Sequence, residues 1–143
     1  MRIRKDALDK SKIKYEIILP TDYDNQRSYP LMIILHGGGS TIEKAKLNWK
    51  SESLNRDYIQ VFFQSYQYHD MKSFGWGIAD QRARKEIKQC YNEILQEFNV
   101  DLNIIITAGI SAGAYTAMDL VLNNNSIIWG TLCQTGKNIL NIF

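Results

Sequence analysis

Cysteine and proline are scarce in this chain, and no charge of either sign dominates it. The two cysteines, Cys90 and Cys133, form no CxxC pair and no disulfide framework. They predict two reduced, half-buried thiols in a cytoplasmic protein, with one disulfide in an exported protein as the alternative. The only prolines, Pro20 and Pro30, bracket a polar segment. A formal charge of +2 over 143 residues, with Lys and Arg spread among acids, leaves no electrostatic footprint for DNA or RNA. No apolar run approaches the length needed to span a bilayer, so no membrane partner is expected. Residues 1–14 lack the apolar stretch of a signal peptide. There is no repeat and no low-complexity tract, and no metal cluster or cofactor motif appears. At 143 residues, with 45% apolar and 22% charged side chains, the chain suits one globular domain.

What is present is an alternation of buried strands and helices. Residues 14–19 (KYEIIL) read as a strand and 21–28 (TDYDNQRS) as a turn-rich connection. Residues 31–35 (LMIIL) and 59–64 (IQVFFQ) are continuous apolar runs, the pattern of parallel strands buried on both faces. A helix is expected over 42–54, and an aromatic, Gly-containing loop over 65–79. Asp80 is suited to cap a long helix, because its carboxylate can accept from exposed backbone N–H groups. Ala83, Ile87, Cys90, Tyr91, Ile94, Leu95 and Phe98 then recur at helical spacing as one apolar stripe. Residues 103–108 (NIIITA) predict a strand, 112–122 a buried helix, and 127–132 (IIWGTL) a final strand. The tail, 138–143 (NILNIF), has no obvious helix or strand to join and is placed to fold back over the open edge of that strand. Strands alternating with helices imply a mostly parallel α/β sheet with right-handed crossovers.

The sharpest chemical signal is Gly109-Ile110-Ser111-Ala112-Gly113, a G-x-S-x-G. A serine hydroxyl is a weak nucleophile until a base takes its proton. The pentapeptide supplies placement: a tight strand-to-helix turn whose flanking glycines remove clashes, with a helix N-terminus aimed at the reacting centre. In this composition chance yields about 0.03 such matches, and here a strand pattern precedes the match and a helix pattern follows it. The second signal, His36-Gly37-Gly38-Gly39, directly follows the LMIIL run. Glycines there let backbone N–H groups approach a substrate oxygen, each donor being worth roughly 3 kcal/mol at the transition state. No Gly-Lys-Ser/Thr follows, which argues against a nucleotide P-loop. His36 itself reads as the end of a buried strand whose ring orients the turn, rather than as a catalytic base.

Together these features resemble the α/β-hydrolase superfamily and, within it, serine esterases related to feruloyl esterases and polyhydroxybutyrate depolymerases. Leu19-Pro20, Tyr23-Asp24 and Tyr29-Pro30 are similar to the opening of that branch, as are Trp76 and Asp80 ahead of the long helix and Phe98-Asn99-Val100-Asp101 before the Ser111 strand. Ile104 and Ala114 depart from it, at positions where the branch usually has an Arg and often a second glycine. The resemblance implies a carboxylic-ester hydrolase working on a small-molecule ester through an acyl-enzyme. Ser111 would be the catalytic nucleophile, with oxyanion-hole N–H groups from Ala112 and from the HGGG turn, Gly38 first and Gly39 second.

In the superfamily an acid and then a histidine follow the nucleophile. After Ser111 the only acidic residue is Asp119, inside the expected helix, and no histidine follows. The five expected strands resemble the second to sixth of an eight-stranded sheet. The expectation is therefore a single incomplete domain over 1–143, truncated after about the sixth strand. Either it is a catalytically inactive remnant or it is a half-enzyme completed by another chain, with self-association as a further outcome. His69, in the 65–79 loop at the carboxyl end of the sheet, is the upstream histidine that could serve as base, although a solvated loop position is the plainer reading. Trp76, Tyr66, Tyr68 and Phe74 could line a pocket or cover the sheet edge.

Overall fold

The computed structural model describes residues 2–5, 13–77, 80–123, 130–135 and 138–142. In chain order the elements are β1 (Arg2–Lys5), β2 (Lys14–Ile18), β3 (Tyr29–Leu35), α1 (Ile42–Asn48), α2 (Glu52–Asp57), β4 (Ile59–Gln64), β5 (Gln67–Asp70), β6 (Ser73–Gly75), α3 (Gln81–Glu97), β7 (Val100–Ile110), α4 (Ala112–Asn123), β8 (Gly130–Thr135) and β9 (Asn138–Ile142).

The apolar runs form the middle of one sheet. Successive side chains of a strand point to opposite faces. In β3, Leu31, Ile33 and Leu35 join one core and Met32 and Ile34 the other, and all five are buried. A strand apolar on both faces needs cover on both. On the first face that cover is α3 and α4, through Ala83, Ile87, Tyr91, Ile94, Ala117 and Leu120. On the second it is α1 and α2, through Ile42, Ala45 and the flanking Trp49 and Leu54. The strand order is β1-β2-β4-β3-β7-β8-β9. Neighbours from β4 to β8 pair in parallel, while β1, β2 and β9 run antiparallel to theirs. This is the mixed, mostly parallel α/β sheet expected from the sequence.

Four local differences have physical causes. The helix expected over 42–54 is two helices, because Ser51 adopts extended backbone (φ −152°) and starts α2 afresh. In one straight helix Leu54 would lie about 140° around the axis from Trp49. The break returns both to the same apolar patch. The 65–79 loop contains the β5–β6 hairpin, with residues 78–79 outside the described residues. Strand β7 begins at Val100 rather than 103 and bulges, since Tyr29 pairs with Val100 but Leu31 already with Ile105. Pro30, between those partners, has no N–H for the ladder, and Asp101 Oδ1 instead accepts from the Asn103 N–H at 2.9 Å. Finally, β8 extends to Thr135, past the expected end at 132, while 127–129 lie outside the described residues. The tail is β9, paired antiparallel with β8 from Thr135↔Asn138 to Thr131↔Ile142.

Candidate active site

The site is built where β3 and β7 end side by side. Leu35 pairs with Gly109, the last partners in this parallel ladder. Carboxyl ends of parallel strands are where ligands bind in open α/β sheets. Ser111 lies between β7 and α4 with φ +52°, the one non-Gly residue with positive φ among the described residues. That left-handed conformation is strained for a residue with a Cβ and recurs at functional positions. Ser111 is exposed, and among the described residues its hydroxyl has no hydrogen-bond partner.

The flanking glycines are there for space. A Cβ on Gly109 would stand 2.3 Å from the Gly113 carbonyl group, and one on Gly113 would stand 2.3 Å from the His36 carbonyl oxygen. Gly113 thus lets the first turn of α4 press directly on the end of β3. Farther along, Thr107 Oγ1 donates to the Ala117 carbonyl (3.2 Å). The Arg84 guanidinium grips Asp119 at 2.8 and 3.0 Å, tying α3 to α4. Asp119, the acid that follows Ser111 in the sequence, is therefore engaged with an arginine.

The HGGG turn meets this first turn of α4. A Cβ on Gly37 would be 3.3 Å from the Ile110 carbonyl oxygen, and one on Gly38 would be 3.5 Å from Ala112 Cβ. The N–H of Ala112 opens a helix and so has no intrahelical acceptor. Among the described residues the N–H of Gly38 has no acceptor either. Gly39 differs. Its N–H donates to the Phe74 carbonyl at 2.9 Å. The N–H of Gly39, the second choice of oxyanion donor from this turn, is thus engaged with β6.

His36 holds the turn in shape. The residue is 1% exposed. Its Nδ1 lies 2.7 Å from the Gly37 carbonyl oxygen, and its Nε2 accepts the Ser65 N–H at 3.2 Å. That pattern is satisfied by a neutral ring protonated on Nδ1. Burial lowers its pKa below the ordinary value, although the Gly37 carbonyl pulls the other way. Trp76 stacks on the ring at 5.1 Å and donates from Nε1 to the His36 carbonyl (2.9 Å). Trp76 therefore belongs to the core under the turn. Asp80 caps α3 by accepting from the Arg82 and Ala83 N–H groups, and also accepts from the Tyr66 hydroxyl (2.6 Å) and from Gln67. Burial would raise its pKa, but these hydrogen bonds outweigh it and hold the carboxyl below the usual range.

The β5–β6 hairpin was missed from the sequence, yet it completes the site. Phe74 and Ser40 form an antiparallel bridge, with the Phe74 N–H donating to the Ser40 carbonyl at 3.0 Å. The hairpin therefore grips the far end of the HGGG turn. Its signal was the alternation Tyr66, Tyr68 and Phe74, Trp76 about Asp70-Met71-Lys72-Ser73, a period-two pattern around a turn.

No family profile and no curated protein matches the sequence. Solved structures do. A thermostable esterase superposes with TM-score 0.65 at 16% identity, covering 91% of this chain and 40% of its own. An acetyl xylan esterase from Aspergillus awamori gives 0.69 at 12% identity, covering 92% and 50%. An uncharacterized protein from Bacillus cereus ATCC 10987 gives 0.66 at 28% identity, covering 78% and 35%. The chain has the α/β-hydrolase fold. It spans between 35% and 50% of the length of these three proteins.

Proposed function

We propose that Ser111 is the nucleophile of a serine hydrolase that cleaves carboxylic esters through an acyl-enzyme. The N–H groups of Gly38 and Ala112 form the oxyanion hole. One observation carries this reading: a positive-φ serine stands between strand and helix, and the residue after it abuts Gly38. Both N–H groups are then free to point at one oxygen, the arrangement that stabilises a developing oxyanion. In the reaction Ser111 Oγ bonds to the ester carbon, the bond to the alcohol oxygen breaks, and the serine proton leaves on the alcohol. Water then cleaves the acyl-serine to release the acid. The cysteine pattern supports a cytoplasmic setting, and among the described residues no helix is long and apolar enough to cross a membrane.

A second reading is favoured by a specific observation. Residues 112–143 contain no histidine, and His36 is committed to the turn. In this reading residues 1–143 carry the nucleophile and oxyanion donors but turn over little by themselves, because the base that activates Ser111 is supplied from elsewhere. A fluorophosphonate separates an activated serine from an inert one. In the first reading phosphonylation of Ser111, read by peptide mass and absent in Ser111→Ala, is expected; unlabelled Ser111 defeats that reading and supports the second. Turnover of a nitrophenyl ester separates the two readings. Rates no more than roughly 10³–10⁴ over water support the incomplete site, whereas ordinary enzyme rates lost in Ser111→Ala support a complete one.

A further inference from the structure

The imidazole of His69 lies on the HGGG turn. A Cβ on Gly39 would meet its Cδ2 at 3.3 Å and its Nε2 at 3.6 Å, and Gly39 itself has φ +69°. Glycine at this position leaves the ring its place. The contact is not a loose one, because the hairpin that carries His69 is bonded to the same turn through Gly39, Ser40 and Phe74. The ring is nevertheless exposed, and among the described residues neither of its nitrogens has a hydrogen-bond partner. Consecutive Cα atoms are about 3.8 Å apart, so the ring sits one residue beyond Gly38, the oxyanion donor of the function proposed above.

Building on that reading, we propose that His69 contacts the substrate and selects esters carrying a hydroxyl group on the part of the molecule that runs past Gly39. A neutral imidazole offers one donor and one acceptor. A hydroxyl, which both donates and accepts, can use either. A carboxylate fits less well, because the charge of the Asp70 carboxylate, one residue on and held by the Lys72 N–H at 2.8 Å, already acts on His69 and would repel it. Hairpin and turn are joined by backbone hydrogen bonds, so the ring needs no rearrangement to meet such a group, and preorganised contacts cost the least on binding.

The test compares phosphonylation rates of Ser111 in the full chain by three fluorophosphonates: a plain butyl compound, one with a hydroxyl on the alkyl group, and one with a hydroxyl on the alkoxy group. The two hydroxyl probes distinguish an acyl-side from an alcohol-side contact. One of them is expected to react about fivefold to tenfold faster than the plain probe, the worth of one or two hydrogen bonds. His69→Phe keeps a ring against Gly39 but offers no hydrogen bond. It is expected to erase the preference, bringing the hydroxyl probe to the rate of the plain probe in the same variant, and His69→Gln is expected to restore part of it. No preference in the wild type, an unchanged preference in His69→Phe, or an equal slowing of all three probes overturns the inference, the last by showing that the ring only props the turn. Failure of all three probes to label Ser111 defeats the reading of Ser111 as an activated serine, and this inference with it. Labelling without selectivity defeats this inference alone.

Discussion

The two glycine-bearing turns that meet at Ser111 contain glycine for different reasons. In the turn around Ser111, side chains at 109 and 113 would run into backbone atoms at 2.3 Å. Those atoms are main-chain atoms of α4 and of His36, just past the end of β3, and cannot move aside. In the turn after β3, Gly38 has no such constraint: its φ is not positive, and a Cβ there would make only ordinary contact, 3.5 Å from Ala112 Cβ. The first pair of glycines is demanded by packing inside the molecule. The folded chain does not require Gly38, and its lack of a side chain keeps an N–H open to approach from outside. Glycines of identical sequence appearance thus divide into those that the fold requires and one that it does not.

Substitutions can break that division. Gly113→Ala is expected to have the largest effect, about 3–5 kcal/mol or failure to fold, since overpacking against fixed backbone is among the few causes of losses this large. A denaturant melt checks it, and a loss under about 1 kcal/mol would erase the distinction. The next effect concerns His36, which braces the second turn. Burial holds its pKa in the folded state below the ordinary 6.5. As pH falls below about 6.5 the unfolded chain takes up a proton that the folded chain resists, so stability declines on acidification and is level above that pH. His36→Gln should flatten this part of the stability profile while costing about 2 kcal/mol from the disturbed bond to Ser65. Smallest in stability is Gly38→Ala, expected within about 0.5 kcal/mol of the wild type. Its effect should appear instead as phosphonylation of Ser111 slowed about tenfold or more. If melting and labelling fall together, Gly38 is another packing glycine.

Much of the sheet was legible because its strands are defined by their own residues. The runs 14–19, 31–35 and 59–64 each match an observed strand to within two residues at either end, as apolar alternation on two faces requires. The α3 stripe was legible for the same reason: Ala83, Ile87, Tyr91 and Ile94 are buried at helical spacing. The turn at Ser111 was visible as a pentapeptide with the right neighbours. What escaped depends on residues far apart in the chain. Nothing local tells the Gly39 N–H that Phe74 will claim it, and nothing near 42–54 shows that Trp49 and Leu54 must reach one patch. The tail 138–143 carried only the suggestion of folding over an edge, and its pairing with β8 depends on which edge is left open. Local pattern decides an element's type, whereas hydrogen bonds between elements decide which donors remain for chemistry.

The stacking of Trp76 on His36 has a spectroscopic consequence. The indole is one of three in the chain and is 8% exposed. It lies against an imidazole and is hydrogen-bonded to the carbonyl from which the HGGG turn departs. An excited indole is quenched by an adjacent protonated imidazole, and its emission colour follows the polarity around its N–H. The fluorescence of Trp76 therefore responds to the shape of the turn that presents Gly38. The molecule carries its own optical gauge of whether that turn is in place, readable without label, ligand or turnover.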